Sequence, residues 1–198
     1  MKQINFFFLI PVFFFSCVSQ QLTVSNVPII DETEKNIEFM LISHIDEYMT
    51  GRIPSDEIAA LFFEVFINRN NLNGNAQRER AVALMNDVLS EEGWHSDGFD
   101  ARKGEMNKIA LYMTCAMLSP QDDSFIESAK ALSYGNGWYD YPMHYTVVVF
   151  LELLINNEQI EKTLTDLHQY LSDIIDSGNY DNGSEIIKNM EYIQSILS

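Results

Sequence analysis

The chain has 198 residues, with 29 acidic side chains against 12 basic ones, a formal net charge of −17 at neutral pH and two cysteines. So acidic a chain repels phosphate backbones, and no cluster of Lys and Arg interleaved with aromatics offsets this, which excludes a nucleic-acid partner. Two cysteines do not make a disulfide scaffold, and the length suits one domain burying roughly 70% of its unfolded surface.

Lys2 and the amino terminus give the chain a weakly positive start, and residues 6–15 are apolar, ahead of the polar Ser16, Ser19, Gln20 and Gln21. That pattern is the short hydrophobic core of a secretory signal. Crossing ~30 Å of hydrocarbon takes about 20 apolar residues, more than are present, and Pro11 interrupts any regular element. Phe14-Phe15-Ser16-Cys17 resembles the lipobox of bacterial lipoprotein signal peptides, in which a small residue precedes a cysteine that is lipidated and becomes the mature N-terminus. Phe14 and Phe15 stand where that pattern prefers leucine and a small residue. The resemblance implies a signal peptide over 1–16 and a lipid-carrying Cys17 that ties the protein to a membrane of the cell envelope. Cleavage ahead of Gln20, flanked by the small residues Cys17 and Ser19, is the alternative, and it would yield a soluble periplasmic or secreted protein. With Cys17 lipidated, Cys115 has no intramolecular disulfide partner.

Residues 17–31 lack periodicity and contain Pro28, as expected of a tether, and a single all-α domain is expected over 32–198. Ile37, Met40, Leu41, His44, Ile45 and Tyr48 lie on one face of a 3.6-residue helix that Gly51 ends. Ser55 is a natural N-cap for a second helix with Ile58, Leu61, Phe62, Val65 and Phe66 facing inward. An Asn-rich loop over 68–75 precedes a third helix with Ala81, Leu84, Met85, Val88 and Leu89 inward, stopped at Gly93. From Gly104 to Leu118 the pattern is apolar nearly all round, the mark of a central helix, with Cys115 expected as a buried thiol. A short helix over 124–133 and a loop over 134–142 lead to residues 143–155, the most apolar stretch after the leader. Its valines favour a strand, but its length favours a buried helix. Two closing helices carry the stripes Ile160, Leu164, Leu167, Leu171, Ile174 and Ile186, Met190, Ile193, Leu197.

The expected fold is therefore all-α with about eight helices. Gly51, Gly93, Gly137 and Gly178 recur at intervals near 40 residues, which would fit four stacked αα-hairpins in a solenoid. Glycine C-caps at ordinary intervals in a compact bundle produce the same spacing, and both architectures stay open.

Chemistry-bearing residues gather in two turns that both begin Gly-Trp. Trp94, His95 and Asp97 lie in one, and Trp138, Tyr139, Asp140 and His144 lie in or just after the other. Stacked hairpins would place them side by side as an aromatic and acidic binding patch, since Trp and Tyr anchor many interfaces. The same residues match no fixed zinc spacing, and the Asn-rich loop and residues 176–185 do not fit a calcium loop, so no metal and no cofactor is expected. His44 on an apolar face reads as a core histidine that finds a partner, and His168 as a solvated helix residue. Glu152, inside the apolar run, is either a narrow outward stripe with Asn156 or a buried acid. No nucleophile elbow, phosphate loop or dinucleotide fingerprint occurs, and no catalytic residue is assigned.

These features favour a non-catalytic envelope lipoprotein that binds a protein partner, of an inhibitor or immunity type, with its acidic surface meeting a basic one. An envelope hydrolase with a carboxylate or metal site at the Gly-Trp turns is the alternative. If Cys17 is the anchor, Cys17→Ser moves the protein from the membrane pellet to the soluble fraction; an unchanged membrane fraction contradicts the anchor.

Overall fold

A computed structural model describes residues 32–50, 56–72, 74–90, 99–134, 141–156, 158–178 and 183–198, of which 45–50, 56, 99–103 and 141 are described by their backbone alone. Among the described residues the regular structure is helical, with no strand: α1 (Glu32–Thr50), α2 (Asp56–Asn68), α3 (Asn75–Ser90), α4 (Phe99–Leu118), α5 (Asp123–Ser133), α6 (Tyr141–Ile155), α7 (Ile160–Asp176) and α8 (Gly183–Leu197). The all-α expectation holds. A 3-10 turn, Arg69–Asn71, occupies part of the expected Asn-rich loop.

Among their described side chains two helices, α4 and α6, present no wide polar face to water, and the others pack around them. On α6, Val147, Val148, Val149, Phe150, Leu151 and Leu153 are all buried, so the run of valines is a buried helix, as its length favours, and not a strand. On α4, Met106, Ile109, Ala110, Leu111, Met113, Cys115, Ala116 and Met117 are buried. Helices α2, α3 and α5 pack on α4, while α1, α5 and α7 pack on α6, and the two central helices also touch each other. Most buried apolar residues form one cluster; Ile58, Val88, Ala110 and Leu111 form a smaller one beneath α2 and α3.

The packing order distinguishes bundle from solenoid. The pairs α3/α4, α5/α6 and α7/α8 do pack as hairpins. Helix α1 instead lies against α6, and it reaches the last helix through two long-range hydrogen bonds. His44 Nε2 lies 3.0 Å from Asn189 Oδ1, and the Tyr192 hydroxyl donates to the Asn36 carbonyl at 2.7 Å. A linear stack keeps its first and last helices apart, so the described helices form a bundle. His44 is buried, stacked on Phe150 and bonded across to α8, the satisfied core histidine that its apolar surroundings predict.

Local chemistry explains where the elements begin and end. Asp122 caps α5 by accepting from the Ser124 amide, and the Ser124 contacts hold its carboxyl below the usual carboxylate range. Pro142 stands in the first turn of α6, where its missing N–H would have had no intrahelical partner, so that helix begins inside the loop expected over 134–142. Helix α4 likewise begins at Phe99 and runs through Gly104, because a single glycine weakens a helix without stopping it. Gly178 ends α7 with φ +66°, a left-handed conformation that favours glycine, while its N–H bonds the Ile175 carbonyl at 3.1 Å. The thiol of Cys115 is buried among apolar side chains, and burial pushes it up to about 11, with Arg78 opposing slightly, so it remains protonated at neutral pH.

The inward set of α2 is buried as expected, as are Leu164, Leu167 and Leu171 of α7, whereas Ile160 and Ile174 are only half-buried and Leu89 of α3 and Leu197 of α8 stay partly in water near a helix end. Truncation of a central and a peripheral aromatic should therefore separate sharply. Phe150→Ala should cost about 3–5 kcal/mol in denaturant unfolding, whereas Phe39→Ala, at a residue 68% exposed, should stay within about 0.5 kcal/mol.

Candidate functional site

Trp94, His95, Asp97, Trp138, Tyr139 and Asp140 lie outside the described residues, as does Cys17. His144 is described, and at 5% exposure its ring is inside the bundle on α6. His168 is partly buried on α7. Among the described residues no group of three or more His, Cys, Asp or Glu is placed to hold a metal ion, and no helix is long and apolar enough to cross a membrane.

What the structure does bring together is a set of residues from α5, α6 and α7. Tyr134 follows the last turn of α5, Tyr145 lies on the second turn of α6, and Tyr170 lies in the second half of α7. The ring centroids of Tyr134 and Tyr145 are 5.2 Å apart with an edge-on angle of 66°. Tyr134 and Tyr170 are 5.0 Å apart, and Tyr145 and Tyr170 are 4.6 Å apart. Such tilted geometries are the favoured ones, since the positive edge of one ring meets the negative face of another, and each contact adds about 0.5–1.5 kcal/mol to the area buried. Tyr145 and Tyr170 are half-buried and brace Tyr134, which stays 56% exposed.

A charged group adjoins the three rings. Lys130, on one stripe of α5 with Glu127 and a turn before Tyr134, extends to α6 and places its ammonium 3.1 and 3.0 Å from the two carboxylate oxygens of Glu152. Glu127 approaches the same ammonium at 3.5 Å. The side chains of Lys130 and Glu152 are only 24% and 19% exposed, so the pair is partly shielded from water. Burial alone would lower the Lys130 ammonium, but the hydrogen bond and charge of Glu152, with Glu127 and Tyr145 adding, outweigh it and hold the group above its ordinary value. Burial also pushes the Tyr145 phenol up, opposed by Lys130 and reinforced by Tyr134, Glu152 and Glu127. Glu152 is thus neither an outward stripe nor an isolated buried acid; it is the α6 half of an inter-helix ion pair.

None of the three tyrosines nor Lys130 stood out in the sequence. Lys130 and Tyr134 share a helical face at i and i+4, but nothing local joins them to Tyr170, which lies on another helix. Only the packing of α5 and α7 against α6 makes them neighbours. On α4, a second polar feature pairs Glu105 with Lys108: burial raises the Glu105 carboxyl and lowers the Lys108 ammonium, and each charge partly offsets the other's shift.

A lysine held above its ordinary pKa adds stability that is fully present below the unfolded value near 10.5 and is lost as pH rises through the folded one. Melting temperature should therefore fall as the solution passes into and beyond the ordinary lysine range, and Glu152→Gln, measured by circular dichroism, should flatten that fall. The same change should cost about 1–3 kcal/mol near neutral pH, because it leaves a partly buried ammonium short of its main partner. Comparison with protein-family models, with curated proteins and with solved structures gave no match for this chain.

Proposed function

We propose that this chain is an exported, lipid-anchored binding module of the cell envelope, one whose acidic helical surface takes a basic protein partner without catalysing a reaction. The reading of export and anchoring rests on residues 6–17, and it leaves an all-α domain tethered by residues 17–31 close to a membrane. An inhibitor or immunity-type role fits such an arrangement, in which complementary charge speeds association and suppresses wrong partners.

The observation that carries the binding half is how the few cations are used. Lys35 faces Glu32, Arg69 faces Glu38, Arg80 faces Glu57 and Glu64, Lys130 faces Glu127 and Glu152, and Lys162 faces Asp166. Lys108, Arg78 and Lys188 lie beside Glu105, Asp122 and Glu185. Lys35, Arg69, Arg80, Lys130 and Lys162 are thus each paired with a carboxylate, while acidic residues outnumber basic ones by 29 to 12 along the chain. Exposed pairs of this kind contribute only about 0–1 kcal/mol each to stability, so the charge excess is not explained by folding. A basic partner gains from it directly.

Pull-down from an envelope fraction with the full chain as bait tests the reading. The expected catch is a protein of net positive charge that leaves the resin as salt rises, because attraction between exposed charges is screened beyond ~8 Å at physiological ionic strength. Capture dominated by acidic proteins, or indifferent to salt, contradicts it.

A further inference from the structure

Resting on that reading, we infer that the Tyr134–Tyr145–Tyr170 cluster is the contact patch of the acidic surface, and that its ligand is an arginine side chain presented by the basic partner. Three features of the patch point to this chemistry.

The first is the exposed ring. Tyr134 offers an aromatic surface that is 56% exposed, and ring contacts at 5.2 and 5.0 Å hold it against two partly buried tyrosines. A tyrosine has few torsions to freeze, and bracing removes part of that cost before a partner arrives.

The second is the charge around it. Glu127 lies on the Tyr134 face of α5, Glu152 on the Tyr145 face of α6, and Asp173 three residues after Tyr170 on α7. Asp173 accepts from the neutral Gln169, so its charge is not cancelled there. Against these carboxylates stands the ammonium of Lys130, already shared between Glu127 and Glu152. The rim is therefore net negative, which favours a cation over a neutral sugar.

The third is that the chain already contains the pairing in miniature. The Arg69 guanidinium carbon lies 4.5 Å from the centre of the Phe66 ring while its Nη2 donates to Glu38 at 2.6 Å. A planar guanidinium can stack on a ring and pair with a carboxylate at the same time, whereas an ammonium is a point charge that does the two less well. The tyrosine cluster with its carboxylate rim offers an incoming arginine the same two contacts.

The test is calorimetric titration of the full chain with a short oligoarginine peptide, an oligolysine peptide of equal length and a neutral oligosaccharide. The wild-type chain should bind oligoarginine more tightly than oligolysine. Tyr134→Ala should weaken oligoarginine about tenfold, as expected for loss of a stacked cation, and Tyr134→Phe should restore most of it. Because Tyr134 is largely exposed, its substitution should leave the melting temperature within a few degrees, and Glu127→Gln serves as a second variant that weakens binding without altering a ring. Undiminished oligoarginine binding by both Tyr134→Ala and Glu127→Gln overturns the patch while sparing the acidic-surface reading. Absence of oligoarginine binding by the wild type overturns both. Oligosaccharide binding that Tyr134→Ala abolishes, with oligoarginine unaffected, reassigns the patch to a glycan and overturns the arginine proposal.

Discussion

Helix α6 cannot be exposed to water on any broad face, and the remainder of the bundle follows from that constraint. Burying a side chain the size of leucine or phenylalanine stabilises the fold by about 1.5–3 kcal/mol, and six consecutive core positions other than 152 are committed in this way. One neighbour covers about one stripe of a helix, so a helix apolar all round needs several. Helices α1, α5 and α7 supply them, with α4 closing the remaining side. The demand also explains why the first helix of the domain crosses to the sixth instead of folding back on the second. His44 and Asn189 then join α1 to α8 through a hydrogen bond that is out of reach of water, where leaving either group unmatched would cost about 1–3 kcal/mol.

Much of this was legible in the sequence, and the part that was not has a physical reason. Periodicity identifies the buried face of each amphipathic helix because it is a local property: Ile58, Leu61, Phe62, Val65 and Phe66 are all buried, as are Leu164, Leu167 and Leu171. It also identifies the two central helices, because a segment with no polar stripe has only one kind of place in a globular domain. It does not say which helix covers which. The glycine spacing pointed equally to a stack and to a bundle, and the deciding contacts, α1 with α6 and α8, join residues more than a hundred positions apart in the chain. The tyrosine cluster was invisible for the same reason, being made of one residue from each of three elements. Glu152 was recognisable as anomalous within its apolar run, but its partner Lys130 sits on another helix.

The surface and the interior answer to different demands. Each of the exposed ion pairs is worth too little to hold helices together, and the surplus carboxylates repel one another. Stability must come from the core, and on the proposed reading the surface charge serves association. On the proposed reading, the pairing of Lys35, Arg69, Arg80, Lys130 and Lys162 with carboxylates reduces local competition for a basic partner.

The Lys130–Glu152 pair sits where these two demands meet. A charge on the most apolar helix is costly, and replacing a partly buried ion pair with well-packed apolar residues is often neutral or stabilising. The pair is therefore poorly explained as a stability device. Its geometry accounts for it better: Glu152, together with Glu127, holds the ammonium at 3.0–3.5 Å. A lysine tied to two carboxylates is not available to stack on the neighbouring tyrosines, and it cancels only part of their negative charge. The face of Tyr134 is thus left open and flanked by acid. On the proposed reading, it is this exposed ring beside a fixed ion pair that an external cation would meet.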